Sequence, residues 1–482
     1  MNNRQEFRFG PMFTVMLIGA FMGILNETLL STALPSIMKD FGLNENKVQW
    51  LTTAFLLTNG VMIPISAYLI ERFSTRRLFL TAIGLFGIGT LIGALADRFT
   101  LLLIGRVIQA AGSGIMLPLM MTVILTVIPK DKRGRMMGWA GIVISFGPAI
   151  GPTLSGFLLE FFTWKALFFV VLPIVVLVIG LGSVYVKNVT RQTQPKIDIL
   201  SILLSSLGFG GLLYGFSTAG ENGWSSLSVL FFIIGGFFIL GIFIRRQLRL
   251  EQPLLQFRVF QFKAFTLSLV ITMVVIVSMI GAEALLPLYM QNLRGFSPLQ
   301  SGLMLLPGAV VMGIMSPITG MLFDRWGAKK LAVPGLFIVT ITSFLFTNLS
   351  MDTSIVYLSV IYSLRMFGLS LAMMPVMTKG LNQIPIKWSA HGSAMANTFQ
   401  QVSGSIGTAL LFTVLTITAK GYSSNSLQMD DTFREMAMLH GYNNAFWFAS
   451  IIAAGALILS FFLKSELAAE NGTKPQLVKK EN

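Results

Sequence analysis

Fourteen apolar segments, each long enough to cross some 30 Å of hydrocarbon as a helix, constrain this 482-residue chain more than any other feature. They fall roughly at 12–34, 48–70, 79–96, 101–127, 137–159, 166–186, 199–218, 227–244, 265–290, 300–322, 330–348, 355–377, 393–418 and 441–463. Only 11% of the residues are charged, against about 25% in soluble domains, so the chain cannot clothe itself for water. The fold class is therefore an all-α polytopic membrane protein with 14 transmembrane helices. The first span is too long for a removable signal, and Asn26 and Glu27 interrupt its apolar run. With no Cys, the chain has no disulfide, no thiolate metal site and no cysteine nucleophile.

A formal charge of +15 suggests nucleic acid until the bases are sorted by side. The two tails and every second connection hold 26 of the 35 Lys and Arg, the opposite connections hold 7, and Arg106 and Arg365 lie inside spans. That bias is the positive-inside rule, which predicts a multi-pass protein with both termini cytoplasmic and no nucleic-acid partner, and the expected location is a cell membrane, bacterial in this reading.

The chain repeats itself. Ala67, Glu71, Arg72, Arg76 and Arg77 follow the second span, and Gly320, Asp324, Arg325, Lys329 and Lys330 follow the tenth, in register at an offset of 253 residues. Gly42 and Gly295, in the preceding connections, align at the same offset. The boundaries predicted from this are a tail at 1–11, a six-helix bundle at 12–186, a linker and central two-helix hairpin at 187–263, a second six-helix bundle at 264–463 and a tail at 464–482. Two such halves around a midplane site describe a secondary transporter that alternates access by rocking.

The repeated loop, small residue, acid, Arg and then two bases, resembles the signature loop of the major facilitator superfamily. The resemblance covers about residues 12 to 463 and implies the major facilitator fold, with Glu71, Arg72, Arg76, Arg77, Asp324, Arg325, Lys329 and Lys330 as a conformational latch. An acid at a helix end can pair with Arg or Lys of a neighbouring loop, and such a pair can break and re-form. The first copy departs from the pattern at Ala67, Glu71 and Ser74.

An arginine within a span needs an acid or a wet cavity. Arg106 of the fourth span lies about 8 Å deep, Glu27 of the first and Glu283 of the ninth about 10 Å deep, so the three share one level. These are the only two carboxylates well inside spans, and each is expected to face a shared cavity. A lone Glu there is stable with a proton or with a cation beside it, which suits proton coupling. The alternative is a permanent Arg pair that fixes helix packing. In the resembled family the fourth-span arginine and a neighbouring first-span acid are implicated in proton transfer, although this chain has Asn26 where many relatives place Asp.

Gly138, Gly147, Pro148, Gly151, Pro152 and Gly156 of the fifth span resemble the antiporter signature of the same superfamily, found in exporters. Small residues there permit close helix approach and Pro bends the helix. Fourteen spans, with Asn397, Gln400, Gln401 and Gly404 in the thirteenth, resemble the fourteen-helix drug:proton antiporter group, including its lincomycin and multidrug exporters. The reading is a proton-coupled antiporter, not an enzyme, that exports amphipathic small molecules. Glu27, Glu283 and Arg106 couple protons, and Asn26, Thr28, Gln109, Arg365, Asn397 and Gln401 are candidates for the cavity wall. No cofactor, nucleotide or metal is expected, since no Walker lysine motif exists and His391 and His440 fall on opposite sides as ordinary loop residues. The partners are protons, drug-like molecules and the bilayer, with the protein acting as a monomer. The rivals are an exporter of one metabolite or lipid-like compound, and a non-transporting sensor on the same fold.

Overall fold

The structure is a computed structural model that describes residues 9–190, 192–193, 195–423 and 431–464. Most of both predicted tails, 1–8 and 465–482, lies outside the described residues. Fourteen long helices form: α1 Phe9–Leu29, α2 Trp50–Arg72, α3 Thr75–Leu95, α4 Phe99–Val127, α5 Arg133–Phe161, α6 Ala166–Tyr185, α7 Ile199–Asn222, α8 Leu227–Arg249, α9 Lys263–Leu288, α10 Pro298–Trp326, α11 Ala328–Leu345, α12 Ile355–Asn382, α13 Ser389–Ser423 and α14 Asp431–Ser460. Among the described residues, thirteen of these are long and apolar enough to cross a membrane. The other, α5, dilutes its apolar residues with six glycines. The first predicted span is shorter than expected, because α1 stops at Leu29 and a short helix, Leu34–Phe41, carries on with Pro35 in its first turn.

One apolar cluster fills the bundle of α1–α6, reaches α7 and α8 and crosses into parts of α9, α12 and α13, and a second fills the rest of α9–α14. The bundles meet along two seams, α5 against α10 and α2 against α13. Under the repeat, α2 corresponds to α10 and α5 to α13, so the two seams are the same contact made twice. The duplication extends to backbone conformation. Gly42 and Gly295, equivalent under the offset, both turn through the left-handed region at φ +61° and +66°. Gly327, which opens α11, also has positive φ, while its counterpart Ser74 is extended at φ −65°, which explains why the first loop can dispense with glycine there.

The fastest-packed seam is α5 on α10. A Cβ at Gly320 would collide with the carbonyl of Gly134, and one at Gly138 with that of Ser316, so backbone lies directly on backbone. At the equivalent place in α2 stands Ala67, fully buried, so the α2–α13 seam accommodates a methyl group. The α7–α8 hairpin lies outside this second seam, with α7 touching both α2 and α13 and α8 packed on α7. Phe231 and Phe238 of α8 are 70% exposed and face where lipid would be.

The hairpin is tied at its base. Asp198 caps α7 by accepting from the Ser201 backbone N–H, and holds Arg246 of α8 through two hydrogen bonds of 3.0 and 3.1 Å. Burial raises the Asp198 carboxyl, but the bonds from Arg246 and Ser201 outweigh it and leave the group below its ordinary value. Asp198→Ala is expected to cost about 1–2 kcal/mol, from the cap and the exposed pair together, read as a lower midpoint of thermal unfolding in detergent. An unchanged midpoint contradicts this account of the hairpin base.

Candidate functional site: the central chamber and its buried charges

Each bundle holds one arginine at its heart, and each is 1% exposed. Arg106 of α4 donates to the side-chain and backbone oxygens of Asn26 on α1, to Gln109 Oε1 at 3.1 Å and to the Leu51 carbonyl at 3.4 Å. Its guanidinium lies over the Phe55 ring, 4.1 Å from the centroid, and Nη2 has no partner. Gln109 in turn donates to Thr90 Oγ1 at 2.8 Å. Arg365 of α12 donates to the Ser343 hydroxyl of α11, and to the carbonyl and hydroxyl of Ser278 on α9 at 2.7 and 3.2 Å, while its Nε is unpartnered. Among the described residues, both guanidinium groups are thus bonded to neutral oxygens and to no carboxylate.

The acids stand close by without bonding. Arg106 is the charge that acts on Glu27, and Arg365, with Tyr362 beside it, is the charge that acts on Glu283. Among the described residues neither glutamate makes a hydrogen bond or an ion pair. This revises the sequence expectation of one Arg106 level shared by both acids. Each half carries its own arginine and glutamate, and Arg365 answers Glu283.

Between the halves lies a chamber of about 410 Å³. Glu27, Ile24 and Ala20 of α1 form one side, Asn59 of α2 and Ser113 of α4 another, and Ile276, Met279 and Ile280 of α9 a third. Facing them, α13 turns Asn397, Gln400, Gln401, Gly404, Ser405 and Thr408 inward, a polar stripe at helical spacing. Of the residues predicted for the cavity, Asn397 and Gln401 are in this wall. Asn26, Gln109 and Arg365 are not, because they are spent on the arginine networks. Thr28 is not either, since it donates to the Gly147 carbonyl at 3.2 Å and packs against α5. Glu283 lies one helical turn beyond Ile280 and outside the wall, contrary to the expectation that both acids face one cavity. Asn59, Gln400, Ser405, Thr408 and Ser217 of α7 join the site without having been singled out for it. The period of the α13 stripe was readable, whereas nothing in the α2 and α7 sequences marks Asn59 or Ser217. A larger groove beside the α5–α6 turn is walled by exposed Phe161, Phe162 and Phe169 and shares no lining residue with the chamber.

The glycines of α5 bring α1 to the chamber. A Cβ at Gly147 would meet Ile24, and one at Gly151 would collide with the Thr28 side chain, so both permit the close approach that sets Glu27 in the wall. Gly156 faces open space. The side chains of Pro148 and Pro152 lie outside the described residues.

The repeated loops fasten both seams on the face that carries Phe9 and Lys464. Asp324, at the end of α10, accepts from the backbone N–H groups of Gly134 and Arg135 at 2.9 and 3.0 Å, so it caps α5 instead of pairing with a base as expected. Its counterpart Glu71, at the end of α2, meets His391 Nε2 of α13 at 2.9 Å. His391 is therefore no loop residue: it is buried in the first turn of α13, and His440 lies within α14 against Tyr422. Arg133 of α5 adds a third tie, to Asn382 of α12 at 3.0 Å. Arg72 donates to the Pro195 carbonyl at 2.8 Å, the Arg76 backbone N–H to Asn188, and Arg77 lies over Phe73. Arg325, Lys329 and Lys330 make no hydrogen bond or ion pair among the described residues.

Comparison with known proteins places this arrangement. The Major Facilitator Superfamily sequence model matches residues 16–408. The chain belongs to that superfamily. It is 51% identical over 461 residues to the uncharacterized MFS-type transporter YcnB of Bacillus subtilis, covering 96% of each chain. It is 43% identical to the lincomycin resistance protein LmrB of Listeria innocua, covering 95% of this chain and 98% of that one. The fold resembles that of the human organic anion transporter MFSD10, with a TM-score of 0.67 at 12% identity over 93% of this chain and 99% of that chain. The major facilitator fold, a multi-pass membrane protein and a transporter family are thereby established.

His391→Ala and Glu71→Ala should each destabilise the seam by about 1–3 kcal/mol, and the double variant by no more than the larger single loss, because each single change strands the other member of the pair and the double change strands neither. Thermal unfolding of the three variants gives the cycle, and simple additivity removes the pair as a fastening.

Proposed function

We propose that the protein is a proton-coupled antiporter that exports amphipathic, cationic or neutral small molecules across the cell membrane, with both termini and the fastened loops in the cytoplasm. The carrying observation is Glu27: an unbonded carboxylate in the wall of the chamber, within the field of an arginine that only neutral oxygens hold. Taking a carboxylate out of water costs several kcal/mol unless a proton or a cation accompanies it. Glu27 therefore accepts one or the other, and a proton arriving from outside displaces a cationic substrate. The mixture of Ile and Met side chains with amide and hydroxyl groups in the wall suits amphipathic guests. The printed name of the Listeria relative, a lincomycin resistance protein, supports export of antibiotics as the physiological form of this activity.

Glu283 and Arg365 form the matching set in the second half and are proposed as a second coupling site. The polar stripe on α13 favours a narrower reading, in which one hydrogen-bonding metabolite is the cargo. Proteoliposomes loaded with several unrelated dyes separate the two under an imposed pH gradient: multidrug export moves most of them, a dedicated exporter few or none. In the same assay Glu27→Gln should lose uphill efflux by at least about 10²-fold while keeping downhill binding of neutral dyes, as removal of an essential proton carrier requires. Glu283→Gln should lower uphill efflux as well. Full gradient-driven efflux by either variant at normal expression withdraws that residue from coupling.

A further inference from the structure

The α7–α8 hairpin has no counterpart in the repeat, yet α7 is built into the seam where the two halves meet. Leu213 sits on Gly60 of α2 so closely that a Cβ there would collide with it, and Gly210 leaves room for Val61. Trp50, which opens α2, stacks with Tyr214 at 5.9 Å. On the other flank, Trp224 donates to Thr413 Oγ1 of α13 at 2.6 Å, and the Cβ position of Gly220 lies 3.4 Å from Phe412 Cβ. The helix thus touches α2 and α13 at once, on the outward-facing side of both. Between these contacts Ser217 lines the chamber, in company with Gln401, Ser405 and Thr408 of α13. Ser217 is exposed although its neighbours Phe216 and Ala219 are buried, and it is among the residues that line the chamber.

We propose that α7 is the lateral wall of the substrate chamber, keeping lipid out where α2 and α13 adjoin, and that Ser217 contacts the cargo and limits its size. This rests on the chamber being the transport site. The chemistry at that wall is specific in kind. Ser217 gives a hydroxyl across from the amide and hydroxyl groups of α13, so a cargo passing between them carries hydrogen-bonding groups on one side and presents its apolar side to Ile276, Met279 and Ile280. Lipid tails offer no such groups, and α8 in turn shields the back of α7 with Phe231 and Phe238 outermost. A hairpin inserted only to lengthen the chain would have no polar side chain in the chamber and no reason to bridge both halves.

The chain has no cysteine, which makes a direct test available. In the full-length protein in liposomes, Ser217→Cys should react with a small charged methanethiosulfonate reagent, while Phe231→Cys on the outer side of α8 should not. Ethidium, as a cationic amphipathic probe, should slow the Ser217→Cys reaction by at least about threefold when present well above its Kd. Ser217→Trp should cut export of a bulky dye such as rhodamine 6G by about tenfold relative to ethidium, at unchanged expression, because a filled pocket discriminates by volume. Absence of labelling at position 217, labelling equal to that at position 231, or a labelling rate indifferent to ethidium overturns the proposal, as does an equal loss for both dyes in Ser217→Trp. Labelling is read without any transport, so its failure is distinct from a wild-type protein that moves no dye, which would overturn the export reading itself.

Discussion

A guanidinium buried in each helical bundle, bonded only to neutral oxygens, is the constraint on which the rest of the structure turns. Removing a charge from water is expensive, and Arg106 and Arg365 recover part of that cost from Asn26, Gln109, Ser278 and Ser343 and from nearby carbonyls. None of these acceptors neutralises the charge. The compensating carboxylates are held apart as free groups, Glu27 next to Asn26 and Glu283 five residues past Ser278. Asn26 is the decisive substitution: an aspartate at that position would satisfy Arg106 outright and leave Glu27 nothing to balance. With an amide there, the positive charge stays unmet and acts on the chamber wall instead.

The seams explain how such a chamber can be held between two rigid bodies. On one side, Gly134, Gly138 and Gly320 bring α5 and α10 into backbone contact, which leaves little freedom except to slide or pivot about that line. On the other, α2 and α13 meet through Ala67 and the Glu71–His391 pair, a contact that depends on side chains and is easier to part. The helix α7 covers this looser seam. An opening there would expose Asn59 and Gln401 to hydrocarbon, where an unpaired amide costs several kcal/mol. The placement of an extra hairpin at this seam, and not at the glycine seam, follows from which of the two needs covering.

Much of this was legible in the sequence because membrane folding obeys a few strong rules. Span length, the positive-inside bias and an exact repeat offset gave fourteen helices and two halves, and the offset carried through to the left-handed backbone at Gly42 and Gly295. Glu27 and Arg106 were legible too, since a charge inside a span must have a reason. The partners were not. Equal depth placed Glu283 with Arg106, but depth is one coordinate of three: Glu283 stands one turn along α9 from the lining residue Ile280 and within the field of Arg365. His391 was misread as a loop residue because α13 begins at Ser389, earlier than the apolar run that marks a span. Ser217 was invisible, because a single serine in an apolar helix bonds its own backbone, as Ser217 does to Tyr214, and gives no pattern.

The two halves are copies in backbone and unequal in chemistry. The chamber reaches Glu27, whereas Glu283 is not among its lining residues and stands beside Tyr362. In the proposed cycle these positions divide the labour: the first half exchanges proton for substrate directly, and the second can respond to protons alone. A carrier with both acids in the wall would bind two protons or two cations in competition, and neutral and cationic cargo would then move with different stoichiometry. With only one acid in reach, a neutral molecule and a cation both fit against the α13 stripe, and the difference between them is confined to Glu27. That confinement gives a physical basis for breadth in what such a chamber can carry.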